Sequence, residues 1–165
     1  MKSLNSSLQN YQKLLQETEL QVAYRELISF LTKLQVNFKI KYPEYEVSKG
    51  LYQGYLDLSF FTFTTNQLKA KQLKIAIVFL HDKMRFEAWL SGRNRVVMST
   101  YHKKLSDYNL GEYILANDEK GMDSIIEGMI VTDPNFDNLE VLSTEIESNI
   151  IKFTNDIEYI LWNVD

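Results

Sequence analysis

The sequence predicts one α+β domain, an antiparallel sheet of three to five strands flanked by long N- and C-terminal helices. Three observations predict it. An aromatic-rich strand and a hairpin fill Leu51–Asn94, reading LYQGYLDLSFFTFTT and then LKIAIVFLHDKMRFEAWLSGRN. Apolar residues recur at helical spacing on both sides of that stretch. No repeat, low-complexity tract or linker divides the 165 residues, a length that suits one domain with a substantial core.

In chain order, Leu4–Gln16 is a first helix, with Leu8, Tyr11, Leu14 and Leu15 at helical spacing. A second starts near Thr18, where Thr18-x-x-Gln21 has the form of a capping box. Leu20, Ala23, Leu27, Leu31, Leu34 and Phe38 trace its apolar stripe, and Pro43 ends it because proline lacks an N–H. Tyr42-Pro43-Glu44-Tyr45 leads across a turn near Lys49-Gly50 into the first strand. Leu56, Leu58 and Phe60 point one way along that strand; Tyr55, Asp57, Ser59 and Phe61 point the other.

The hairpin pairs Leu73–His81 with Met84–Ser91 around Asp82-Lys83. A two-residue or symmetric four-residue loop sets Phe79 opposite Phe86, Ile77 opposite Ala88 and Ile75 opposite Leu90, one core layer. A three-residue loop would flip one strand's set. The other face carries Ala76, Val78 and Leu80 beside Arg85, Glu87 and Trp89. With Leu56, Leu58 and Phe60 in the shared core, that second face gathers Tyr55, Asp57, Arg85, Glu87 and Trp89, the candidate ligand-binding surface.

Gly92-Arg93-Asn94 then turns the chain into a short helix, Arg95–Leu105, whose Val97, Met98, Tyr101 and Leu105 pack inward. Leu110–Ala116 and Ser124–Thr132 read as strands around a polar turn, Asn117–Gly121. Asn135 or Asn138 caps a final helix to about Trp162, striped by Leu139, Leu142, Ile146, Ile150, Phe153, Ile157 and Ile160.

Composition removes several classes. There is no cysteine, hence no disulfide, zinc–thiolate site or thiol nucleophile. No apolar run approaches ~18 residues, and the first residues lack a signal-peptide core, so a soluble cytoplasmic protein with no membrane association is expected. Six scattered glycines form no phosphate-binding loop. His81 and His102 have no partner at metal-ligand spacing, and neither Ser–His nor Thr–His pairing is readable. No cofactor, metal site or catalytic set is expected.

Charge is uneven beneath a net −4. Residues 66–105 hold nine basic groups against Asp82 and Glu87, whereas residues 106–165 hold Lys120 and Lys152 against fourteen acids. Arg93, Arg95, Lys103 and Lys104 form a candidate anion patch, and basic groups among aromatics are the footprint of single-strand binding. The acidic last third would repel phosphates, so nucleic acid is not the expected partner. The plainer expectation is that the acidic part folds over the basic part and pairs with it.

The order helix, three strands, helix, strand resembles the core of nucleases with the PD-(D/E)xK motif. That resemblance implies an acid pair on a metal ion, yet Glu87-Ala88-Trp89 has Trp where the lysine belongs, and Asp57 lies on another strand. The words Tyr42-Pro43-Glu44-Tyr45, Leu51–Asp57, Leu73–Phe79, Phe86–Asn94, Ser124-Ile125-Ile126-Glu127 and Asp133-Pro134-Asn135-Phe136 resemble more closely an uncharacterised family of small bacterial proteins, a domain of unknown function. This likeness implies a single-domain cytoplasmic bacterial protein and carries no catalytic residue across. The function expected is a non-catalytic interaction or ligand-binding module, with a homodimer through the long final helix as one version. The alternative is an enzyme or degenerate nuclease-like domain using the Asp57/Glu87 face.

Overall fold

Runs of β-branched and aromatic residues build the centre of the molecule, and the alternation of their side chains decides what covers each face. The computed structural model describes residues 1–117 and 123–165. Its helices are α1 (Leu4–Glu17), α2 (Leu20–Lys41), α3 (Asn66–Ala70), α4 (Arg95–Leu105) and α5 (Leu139–Val164). Its strands are β1 (Glu46–Val47), β2 (Tyr52–Gln53), β3 (Leu58–Thr64), β4 (Leu73–Leu80), β5 (Arg85–Gly92), β6 (Ile114–Leu115) and β7 (Ile126–Val131). The strands form one antiparallel sheet in the order β1-β3-β4-β5-β7-β6, with β2 also on β3.

The α+β class stands, but the sheet has seven strands among the described residues rather than three to five. The added ones, β1 and β2, are two-residue strands, too short to leave an alternation in the sequence. Leu110–Ala116 contributes only Ile114–Leu115 to the sheet. Most of the expected turn Asn117–Gly121 lies outside the described residues.

The hairpin adopts the symmetric four-residue loop. Leu80 pairs with Arg85, so Phe79 faces Phe86, Ile77 faces Ala88 and Ile75 faces Leu90, all fully buried. Two helices cover this face. Phe38 of α2 packs its ring 5.9 Å from those of Phe61 and Phe63. Ile146, Ile150, Phe153 and Ile157 of α5 bury against the β5–β7 side. There Gly128 lets the helix close in: a Cβ at that position would stand 2.8 Å from Phe153. The expected stripe of α5 is therefore buried within the chain from Leu142 to Ile160, while Leu139 stays exposed. Val97, Met98, Tyr101 and Leu105 of α4 join the same core.

Strand β3 runs in the opposite phase to the one expected. Phe61 and Phe63 enter the core with Ser59, while Leu58 and Phe60 lie on the other face beside Val78 and Leu80. Leu56, Leu58 and Phe60 are thus not core residues; Leu56 is exposed on a turn. Within β3 the two alternating sets are as expected, and the pairing with β4 decides which one is buried: Phe61 lies opposite Ile77 and Phe60 opposite Val78. The strand starts only at Leu58, because Asp57 Oδ1 accepts 2.8 Å hydrogen bonds from the N–H groups of Tyr55 and Leu58 and Leu56 takes φ 61°, a turn that leaves Asp57 on the open face. Gly54 makes it possible, because a Cβ there would collide with the Asp57 carboxylate and stand 2.9 Å from Leu58 O.

The capping box of α2 is also corrected. Thr18 closes α1 instead, its hydroxyl donating to Leu14 O and accepting from Leu20 N–H at 3.3 Å. Residue Glu19 precedes α2 with no side-chain cap. At the other end, Asn138 caps α5 as one of the two expected residues, accepting from Val141 N–H.

Candidate functional site

Two concave regions lie at the same end of the sheet, on opposite faces. On the face without a helical cover, Asp57, Arg85, Glu87 and Trp89 line one bay of about 480 Å³, together with Leu58, Leu80, Lys83 and Glu127. Four of the five predicted ligand-binding residues are thus brought together. The fifth, Tyr55, sits apart on the turn, 97% exposed. Strand β7 adds Glu127, which the sequence reading missed because its pairing opposite Trp89 is a long-range register.

Within the bay the polar groups satisfy one another. Glu87 is only 2% exposed; Arg85 Nε donates to one of its oxygens at 2.7 Å and Trp89 Nε1 to the other at 3.0 Å. A buried carboxylate needs such partners to remain tolerable. Asp57 holds its turn, and the backbone N–H bonds it accepts, that of Leu58 foremost, keep the carboxyl below the ordinary range against the opposing effect of desolvation. Ser124 Oγ donates to Glu127 Oε1 at 2.6 Å. The two acids of the nuclease-like alternative are engaged separately, Asp57 by backbone and Glu87 by two side chains. Among the described residues no three His, Asp or Glu side chains converge as a metal site.

On the helix-covered face, an apolar groove of about 680 Å³ opens where α2 overruns the sheet. The stripe of α2 buries Leu31, Leu34 and Phe38 under the sheet, but Leu20, Ala23 and Leu27 continue past it and form the groove wall. Phe30, Phe79 and Phe136 make the floor, with Phe136 edge-on at 5.9 and 6.0 Å to the other two rings. Met84 and Leu139 close the sides, while Glu26 and Asp82 supply carboxylates at the lining.

The far end of the groove holds His81. Its Nε2 lies 2.8 Å from Ser59 Oγ, its ring packs on Phe79 and Tyr24 at 5.1 and 5.8 Å, and its backbone N–H donates to the backbone carbonyl of Asp57. Burial pushes the imidazole below its ordinary value of 6.5, with the nearby Asp57 and Asp82 opposing in part. A serine–histidine pair raises the question of nucleophilic catalysis. Ser59 is fully buried and does not line the groove, and the Asp57 carboxylate is turned to its own backbone. The pair therefore fixes the imidazole rather than activating a nucleophile. Sequence reading missed it because the two residues lie 22 positions apart and meet only through the β3–β4 pairing. His102 is held elsewhere, its Nε2 2.7 Å from Ala116 O.

The candidate anion patch is divided by α4. Arg93 and Arg95 stand at its start, Lys103 and Lys104 in its last turn. Nine residues of helix separate Arg95 from Lys104 by about 14 Å. Lys104 is bound to Asp165 at 2.7 Å and lies over the Tyr101 ring. Lys71 pairs with the same carboxylate. Part of the acidic last third thus folds onto the basic middle, whereas Lys69 pairs with Glu46 and Arg85 with Glu87.

No helix among the described residues is long and apolar enough to cross a membrane. No curated protein and no solved structure matches the chain. A family profile described as Domain of unknown function (DUF7000) matches residues 4–161, nearly the whole sequence. The chain belongs to that family of unknown function.

Proposed function

We propose that this domain is a non-catalytic interaction module that takes an amphipathic helix of a polypeptide into the groove beside α2. The observation that carries the reading is the groove itself: an apolar wall from Leu20 to Phe30, about 15 Å long, with carboxylates at its lining. Helix-in-groove recognition needs such a trough for residues at i, i+4 and i+7, and charges beside it to orient the helix. A small-molecule site would instead offer converging unpaired polar groups. Here the ring and the hydroxyl are already engaged, His81 by Ser59 and Tyr24 by Gln53 at 3.4 Å, and the carboxylates of Glu26 and Asp82 stand at the lining. The cytoplasmic setting and bacterial origin belong to the same proposal; they rest on the cysteine-free sequence and the likeness described above.

The test is fluorescence anisotropy of a labelled 14-residue amphipathic peptide with Leu at i, i+4, i+7 and i+11. Saturable binding is expected to the full chain carrying Leu8→Glu with Tyr11→Glu, changes at exposed positions of α1 that keep its own stripe from competing, and adding Ala23→Glu weakens it at least tenfold. Because Ala23 is exposed, the thermal midpoint should be the same with and without that last change. Absence of binding, or binding that Ala23→Glu leaves intact, removes the reading.

One observation favours a second reading, a small-ligand site in the bay. Asp57, Arg85, Glu87 and Trp89 share that bay, and no helix covers it. A fragment screen read on the Trp89 indole resonance tests it, and an indole that no fragment perturbs sinks it.

A further inference from the structure

Helix α1 has no buried residue, yet its sequence is that of a packed helix. Leu4, Leu8, Tyr11 and Leu15 form a stripe at i, i+4, i+7 and i+11, and all four lie exposed, Leu4 to 75%. A free helix of fourteen residues is marginal in water, so its stability must come from burying that stripe. The joint to α2 does not fold α1 back. Thr18 is extended at φ −131°, ψ 166°, and its hydroxyl ties Leu14 O to Leu20 N–H, which holds the outward bend.

We infer that α1 of one chain fills the groove of a second copy, and that the exchange is reciprocal. This deepens the groove reading above and rests on it. Two features of the chain match each other. From Leu4 to Leu15 the stripe rises about 17 Å, close to the ~15 Å of groove wall between Leu20 and Phe30. The charges are also compatible: α1 holds Lys13 beside Glu17 at 3.9 Å with Lys2 just before the helix, and the groove lining carries Glu26 and Asp82. A two-fold pair buries both stripes and fills both grooves, and exchange of an identical element is a low-cost route to a dimer. Any other occupant of the groove would leave α1 still bare.

Light scattering on mixtures of full-length variants tests this. One variant, Leu8→Glu with Tyr11→Glu, disables the helix; the other, Ala23→Glu, disables the groove. Neither change touches a buried side chain. At tens of micromolar, wild type is expected at twice the chain mass and each variant alone at the chain mass. Their equimolar mixture returns to twice the chain mass, because one intact helix meets one intact groove. A monomeric wild type overturns the exchange, including one that co-sediments with anionic vesicles through α1. A dimer that survives Leu8→Glu with Tyr11→Glu, or a mixture that stays monomeric, overturns it as well. The amphipathic peptide then separates the two ideas: if it still binds, the groove reading stands and only the second copy is wrong.

Discussion

His81 shows how one residue couples the hairpin end to the groove. Its imidazole is wedged between Phe79 and Tyr24 and bonded to Ser59, a setting that favours the neutral ring. Burial lowers its folded pKa below the unfolded 6.5, with Asp57 and Asp82 opposing. The unfolded chain therefore takes up the proton first as pH falls. The stabilising contribution is complete above the unfolded value and is lost as pH falls through the folded one. The difference in thermal midpoint between wild type and His81→Asn should shrink from pH 7.5 to pH 5. A difference constant across that range would show that His81 does not titrate in this way. Asp57 and Glu87 make the complementary point: acids that look like chemistry in a sequence here hold a turn and tie two neighbours on one face of β5.

At the scale of elements, β3 is the strand whose phase matters most. Phe61 is buried beneath α2 with its ring against Phe38, whereas Phe60 is half-buried on the open face, stacked on Tyr52 at 4.8 Å. Phe61→Ala should cost about 3–5 kcal/mol, the range for emptying a core phenylalanine, and Phe60→Ala clearly less. Urea unfolding of the two variants measures this, and the reverse order would mean that the strand is turned over. The same logic explains α2. Its apolar stripe runs from Leu20 to Phe38, but the sheet reaches only its later turns, so Leu20 and Ala23 become groove wall. Periodicity identifies a face; it does not say how far the covering surface extends.

Across the whole molecule, charge decides the range of partners. The basic middle is interrupted: Lys71 and Lys104 are drawn to Asp165, Lys69 to Glu46, and the ends of α4 stand apart. The acids of the last third add a repulsive field at distances beyond these contacts. Single-stranded DNA or RNA should show no appreciable anisotropy change near physiological salt. Strong binding that weakens steeply with added salt and disappears in Arg93→Ala with Arg95→Ala would reverse this conclusion.

The local order of residues determined the class, the spans of the four longer helices and most of the α4 and α5 faces, and it favoured the hairpin register that β4 and β5 adopt. Each of these depends on periodicity or on a turn a few residues long, as with Phe79 opposite Phe86 across four loop residues. The grouping of Arg85, Glu87 and Trp89 was legible for the same reason, since alternate residues of one strand share a face. Tertiary structure alone decided the rest. The buried face of β3 turned on its pairing with β4, Ser59 met His81 through the same pairing, and Glu127 joined the bay from β7. The groove exists because α2 outruns the sheet, and α1 stands bare because Thr18 bends the chain outward. Such features follow from where separate elements stop against one another, and a pattern read along a single chain carries no record of that distance.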